Sequence, residues 1–351
     1  MVLALLAALG SGVAWAVGYL LRARHGQGRV VRLTVAENPT ADGLAEQLRR
    51  EHVVEKPWAF AWCLRITGII ERVHPGDIML RDDLTPLAVL RALAHGAGLA
   101  RVTFPEGIDR YDMAARLAAA GILPDAEAFV RETESERAVR RNGLASATLE
   151  GYLFPDTYDF VLGDNVETIV DTMVRTFRRR MADLRREHGS TLARLAAAGY
   201  DERAVVTLAS MVERETGSSE DRPRVAAVFL NRLTRADFVP RLMQSDPTLV
   251  YGCRAAPVPS CPDAGAQERA VITRAMLDDA SNPYNTYRHT GLPPGPIGNP
   301  GVQALRAVLA PAHTDDLYFV AMGNGRSAFA RTVAEHEANV RRYLRTRDAS
   351  P

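Results

Sequence analysis

The sequence has almost no net charge: 43 basic against 42 acidic residues leave a formal +1. That balance gives no reason to expect nucleic acid or an acidic polymer as a partner. Lysine is nearly absent as well; Lys56 is the single one, a bias that reads as genome composition rather than selected guanidinium chemistry. Metal-binding patterns are missing, since the eight histidines are scattered, no His-Glu-x-x-His occurs, and the three cysteines lack zinc-ligand spacing. No Gly-rich phosphate loop follows a strand and no Gly-x-Ser-x-Gly elbow is present. No cofactor is therefore expected. Cysteine is scarce, yet Cys253 and Cys261 bracket a Pro-rich loop short enough to be bridged in an oxidising compartment, while Cys63 sits in an apolar run and reads as packing.

What is present begins with an uncharged stretch, Met1 to Leu21, about long enough to cross a bilayer core as a helix. It reads as a single transmembrane anchor. A cleaved signal peptide is the alternative, with Ala14-Trp15-Ala16 as its small-x-small site but no charged leader. Arg22, Arg24, Arg29 and Arg32 follow in a short linker over 22–30, and a strict positive-inside count would keep the bulk of the chain cytoplasmic.

At 351 residues the chain has room for two or three domains. Strand and helix patterns alternate irregularly, which predicts an α+β fold. "VRLTV", "ADGLAEQLRREHVV" and a helix opened by Pro57 form a small α/β unit over 31–100; a larger mixed α+β domain follows over 101–347. A weak repeat relates Thr34, Glu37 and Leu44 to Thr103, Glu106 and Met113, each copy reading as strand, turn and helix. Val166, Ile169, Met173, Phe177, Met181 and Leu184 make one stripe of a long helix, and Asn324-Gly325 marks a hairpin.

Carboxylate chemistry is what remains. In "AVVTLASMVERETG" (204–217) eight uncharged residues, Val205 to Val212, run into Glu213 and Glu215. A helix apolar on all sides is buried, so a carboxyl at its end is partly desolvated and its pKa rises, as a general acid requires. Glu213 shares a helix face with Val206, Ala209 and Ser210, small enough to leave room for a ligand; Glu215 lies over Leu208 and Met211. The bland alternative is a solvated helix end capped at Gly217, with its charges paired to Arg214 or Arg222. Spacing alone leaves both glutamates open. "LEGYLFPDTYDF" (149–160) and "NPYNTYRHTGLPPGPIGNPG" (282–301) add Tyr rings, amides and rigid turns suited to an uncharged polyhydroxylated ligand, or simply to tight connections.

"LEGYLFPDTY", "LASMVERET", "QSDPTLVYG" and "YNTYRHTGLPPGPIGNPG", in this order and spacing, resemble the YceG-like family of endolytic murein transglycosylases from about Val31 to about Leu344. The resemblance implies a membrane anchor, a LysM-like subdomain and a lytic transglycosylase domain on the outer side of a bacterial cytoplasmic membrane. It also implies that nascent peptidoglycan strands are cut between N-acetylmuramic acid and N-acetylglucosamine without cofactor, leaving anhydro ends and ending strand growth, with a peptidoglycan synthase as partner. By family match Glu213 becomes the catalytic acid/base. A hydrolase normally needs two carboxylates, whereas a lytic transglycosylase needs one. Motif position makes Gln244, Asp246, Asn285 and Tyr287 candidates for lining the groove, with Glu150 and Tyr158 behind them and Ser210 beside the acid; Asp246, before Pro247, has a turn-capping role as its alternative. Two rival readings remain: a non-catalytic peptidoglycan-binding scaffold, and a muramidase enlisting Glu150, Glu215 or Asp246 as second carboxylate.

Overall fold

The computed structural model describes residues 18–21, 29–94, 99–123, 125–161, 164–262 and 271–343. The chain divides into two compact units, the first comprising Met1–Val102, Ala115–Ala126 and Thr157–Ile169, the second Thr103–Ala114, Glu127–Asp156 and Val170–Pro351. The fold is mixed α+β with small two-stranded sheets, as the irregular alternation predicts. Most of the expected transmembrane helix, and most of the linker after it, lies outside the described residues. Among the described residues no helix is long and apolar enough to cross a membrane.

In the first unit, β1 (Val30–Val35) pairs antiparallel with β2 (Gly76–Arg81), Leu33 facing Ile78. Alternation puts Val31, Leu33 and Val35 inward, the pleat's period of two. Against them pack α1 (Ala41–Arg50), α2 (Pro57–Ile66) and α3 (Pro86–Ala94), which contribute Leu44, Leu48, Phe60, Leu64, Val89 and Leu93 to one core. Thr40 caps α1 by accepting from Gly43 N at 3.1 Å, and Pro57 starts α2 where its missing N–H costs nothing. Cys63 is buried and free, as packing predicts. On α2, Trp58, Trp62 and Ile66 are exposed at four-residue spacing, so they share one outward stripe. Strand β3 (Leu99–Thr103) pairs with β4 (Thr157–Val161), and α4 (Arg110–Ala119) after β3 reproduces the strand, turn and helix of the repeat.

The second unit is helical. After α5 (Ala126–Glu134) and α6 (Glu136–Arg141), α7 (Val166–Ala197) carries its predicted stripe inward and departs from helical geometry only at His188. Helix α8 (Glu202–Glu215) is the centre, with Val205 through Val212 all buried. It packs on α9 (Arg222–Thr234) and α12 (Val302–Leu309), while α10 (Asp246–Ala255) and the short α11 (Arg274–Asp278) lie between these in sequence. The predicted hairpin is β5 (Tyr318–Ala321) and β6 (Ser327–Ala330), followed by α13 (Val333–Tyr343).

Cys253 and Cys261 form a disulfide across eight positions. For a loop this short, chain entropy gives about 2–3 kcal/mol of stabilisation. Reduction should lower the unfolding free energy by that amount, as urea titration with and without reductant will measure.

Candidate functional site

The site lies wholly in the second unit and grows from the last turn of α8. Asp201 caps its start by accepting from Ala204 N at 3.0 Å. Its end carries no Gly217 cap; the helix stops because Thr216 turns extended, at φ −145°. Successive helical residues turn by about 100°, so Glu213 and Glu215 leave the helix in nearly opposite directions.

Glu213 turns inward. One of its carboxylate oxygens accepts from Arg222 Nη2 at 2.6 Å and the other from Gly301 N at 3.0 Å, and its side chain is 4% exposed. Gly301 opens α12, so the carboxylate meets a helix N-terminus as well as a guanidinium. Burial raises its pKa; Arg222 and the Gly301 N–H oppose that, and Glu106 adds to it. This is the Arg222 pairing that the bland alternative foresaw. Arg214 secures the same side by donating to Gly107 O at 3.2 Å.

Glu215 turns the other way, into the wall of a cavity of about 730 Å³ shared with Gln244, Asp246, Tyr287 and Arg232. It accepts from Ser245 Oγ at 2.6 Å. Burial lifts its pKa to about 7; the Ser245 hydroxyl lowers it, Asp246 raises it and Arg232 lowers it. Glu213 is not among the residues lining this cavity.

The segment bearing Gln244 to Asp246 is held by the Pro- and Tyr-rich loop. Thr286 accepts from Gln244 N through its carbonyl (3.1 Å) and from Ser245 N through its hydroxyl (3.0 Å), and Leu242 bridges Thr290. Gln244 sits at φ 53°, left-handed backbone that a non-glycine residue occupies at a cost of about 1–2 kcal/mol. Tyr287 donates its hydroxyl to Asp246 Oδ1 at 2.6 Å across the cavity wall. Asp246 opens α10 ahead of Pro247, so its helix-start role and its cavity role coexist.

Four other residues expected at the groove do not line this cavity. Ser210 is buried, donating to Thr207 O (2.7 Å) and accepting from Ile297 N (3.0 Å). Asn285 is buried, its amide nitrogen donating to Met276, Leu277 and Asp279 carbonyls and its oxygen accepting from Tyr287 N. Glu150, 1% exposed, accepts from Arg110 N, Tyr251 Oη and Asn299 Nδ2, and burial lifts its pKa to about 7. Tyr158 belongs to the first unit, buried and stacked on Phe160. The hydrogen bonds of Ser210, Asn285 and Glu150 tie neighbouring segments of the protein together.

Sequence reasoning missed Arg232, Phe238, Tyr318 and His336, which complete the cavity. Arg232 had a signal, because it continues the buried spacing of Val225 and Phe229 along α9, and an arginine on an apolar stripe is a buried cation. The other three come from separate segments and carry none.

A profile of the YceG-like family matches residues 33–342. The chain belongs to the YceG-like family. A relative of this YceG-like chain from Bacillus subtilis (strain 168), named an endolytic murein transglycosylase, is 28% identical over 334 residues, which cover 91% of this chain and 86% of the relative. One of the same name from Streptococcus pneumoniae serotype 2 (strain D39 / NCTC 7466) is 24% identical over 379 residues, covering 98% of this chain, which spans only 64% of that relative's length. A solved structure of a yceG-like protein from Listeria monocytogenes is similar to the YceG-like chain in fold, with a TM-score of 0.56 at 24% identity over 89% of this chain and 99% of that one.

Proposed function

We propose that this chain is an endolytic murein transglycosylase, a lyase acting on peptidoglycan glycan strands, with Glu215 as its single acid/base. The observation that carries the reading is the Glu215 carboxyl, lifted to about 7 in the wall of a cavity of about 730 Å³ beside Gln244, Asp246 and Tyr287. The names of the curated relatives support the reaction class. The acid moves from Glu213 to its neighbour for a physical reason. Arg222 and the Gly301 N–H each hold one Glu213 oxygen and oppose the upward shift that burial gives it, and Glu213 does not line the cavity.

In the proposed reaction Glu215 gives its proton to the glycosidic oxygen as the bond from the muramic C1 to that oxygen breaks. The primary hydroxyl of the same muramic sugar then attacks C1, and Glu215 takes up the proton it releases. One proton cycles, no water is consumed, and a 1,6-anhydro end results. Cutting nascent strands in this way ends their elongation.

The test is digestion of lipid-linked, uncrosslinked glycan with the end groups identified. Anhydromuramic ends are expected. Reducing ends would overturn the reading in favour of a muramidase with Asp246, a second carboxylate at the cavity, activating water. Because the acid form starts the reaction, kcat/KM should be level below about pH 7 and fall about tenfold per unit above it, following the Glu215 pKa of about 7.

For location, the proposal is a single membrane span within Met1 to Leu21, with the catalytic unit on the outer face of a bacterial cytoplasmic membrane beside a peptidoglycan synthase. The uncharged apolar N-terminal stretch supports the span. So does the outward Trp58, Trp62 and Ile66 stripe of α2, beside Lys56 whose carbonyl accepts the Tyr19 hydroxyl, since indole rings favour the bilayer interface. The sheet and helices around β1 and β2 are proposed to be the LysM-like unit.

A further inference from the structure

Arg232 is 6% exposed, yet one edge of its guanidinium is unspent. Nε donates to Leu317 O at 2.7 Å and Nη1 to Met243 O at 2.6 Å, with Leu242 O at 3.4 Å and Gln244 Oε1 at 3.5 Å. Phe238 and Tyr318 cover the guanidinium carbon, their ring centroids 5.4 and 5.2 Å away. Three carbonyls and two rings therefore fix the fork in one orientation. Its Nη2 donates to nothing among the described residues, and no ion pair joins Arg232 to Glu215 or Asp246, although all three line the same cavity. Nη2 is left without an acceptor among the described residues at the wall of this cavity, so the immobilised free edge marks a place for an acceptor from outside the chain.

The surroundings narrow the acceptor. The same cavity is lined by the apolar Val239, Pro240 and Leu242 and by Gln244 and Asp246, whose side-chain oxygens can accept from an N–H. A group with a methyl, a carbonyl and an amide N–H in one plane matches all three demands. We propose that Arg232 Nη2 donates to the carbonyl oxygen of a substrate acetamido group, with the methyl against Val239 and Pro240, making Arg232 a specificity-determining residue for N-acetylated sugars. This rests on the glycan reading of the Glu215 cavity and deepens it. Every sugar of an N-acetylated glycan carries the group, so the contact forms whichever sugar type occupies that position. An arginine fork is suited to the task because its planar, permanently charged edge strengthens a hydrogen bond to a neutral carbonyl without needing a counter-ion.

The experiment measures binding, not cleavage, and uses the full chain carrying Glu215→Gln so that ligand survives. Chitotetraose and cellotetraose share one β-1,4-linked backbone and differ only in acetamido against hydroxyl at each C2. Calorimetric titration should show chitotetraose binding tighter by on the order of 10- to 100-fold, the range of one hydrogen bond to a charged group. Adding Arg232→Gln should collapse that ratio to within about threefold by weakening chitotetraose alone. Equal affinity for the two tetrasaccharides in the Glu215→Gln chain, or failure to bind chitotetraose at all, overturns the proposal with no need of an Arg232 variant. So does a ratio that survives Arg232→Gln in a chain whose circular dichroism and melting are unaltered. These outcomes are separate from the reaction itself: anhydro products together with equal affinities would remove the acetamido contact and leave the transglycosylase standing.

Discussion

Glu215→Gln should abolish digestion of nascent glycan, lowering kcat by about 10²- to 10⁴-fold, the usual contribution of a positioned proton donor. The same change should stabilise the fold above neutral pH. Burial raises the Glu215 pKa to about 7 from an ordinary 4.5, so ionisation is harder in the folded chain. The stability tied to that neutral carboxyl is complete below about 4.5 and is lost as pH rises through about 7. Glutamine stays neutral throughout. The variant should therefore melt near wild type at pH 4 and above it at pH 8. Glu213→Ala should behave in the opposite way. It strands Arg222 in a site where the pair was 2.6 Å apart, leaving only Glu106 at 3.7 Å. Breaking a buried pair from one side costs about 3–5 kcal/mol, and the low end applies where a second carboxylate remains. Glu213→Ala should lose about 3 kcal/mol in denaturant titration while keeping activity within tenfold wherever it stays folded. If Glu213→Gln abolished turnover without destabilisation and Glu215→Gln remained active, the assignment of the acid would be reversed.

Asn299→Ala should be the most damaging single truncation in the loops. Its buried side-chain oxygen accepts from Gly151 N (2.9 Å) and Leu153 N (3.0 Å), while its nitrogen donates to Ile108 O (3.0 Å) and Glu150 Oε1 (2.7 Å). One amide thus joins the segments around 108, 151 and 299. Alanine would leave two N–H groups and one carboxyl oxygen without partners, each worth about 1–3 kcal/mol, for a loss of at least about 3 kcal/mol. The pH dependence of Asn299→Asp separates this from a general packing defect. Aspartate restores the acceptor for Gly151 and Leu153 but faces Glu150, whose pKa lies near 7. Its destabilisation should grow as pH rises through 7 and both carboxylates become charged, whereas the alanine variant should show no such trend. Equal pH profiles would sink the proposed role of the Asn299 donor.

How far these sites could be read from sequence depends on what kind of physics made them. The Asn324-Gly325 hairpin, the Pro57 helix start and the apolar stripe of α7 follow from local rules, and each appears in the structure. The burial of Val205 to Val212 was likewise implied by a run with no polar face. Choosing between Glu213 and Glu215 needed information about what each meets. Arg222 could be foreseen as one possible partner, but the Gly301 N–H that takes the second Glu213 oxygen is far away in sequence and carries no local signal. Gln244 at φ 53° has no local signal, because glutamine carries no preference for that backbone and the strain is imposed by Thr286. Glu150, Ser210 and Asn285 show the converse case. Polar residues in distinctive motifs suggest ligand contacts, and here these three bond to other groups of the protein away from the cavity.

The interleaving of the two compact units constrains the order in which the chain can be completed during synthesis. Strand β3 leaves the ribosome well before β4, with the whole of Glu127–Asp156, which belongs to the second unit, between them. The first unit therefore waits for Thr157–Ile169, and until then its β3 edge stands unpaired, a surface that nascent chains must keep from pairing elsewhere. A cut after Val102 would free a contiguous N-terminal piece and strand that edge permanently. Shorter excisions that end with β2 would remove the problem along with the strand.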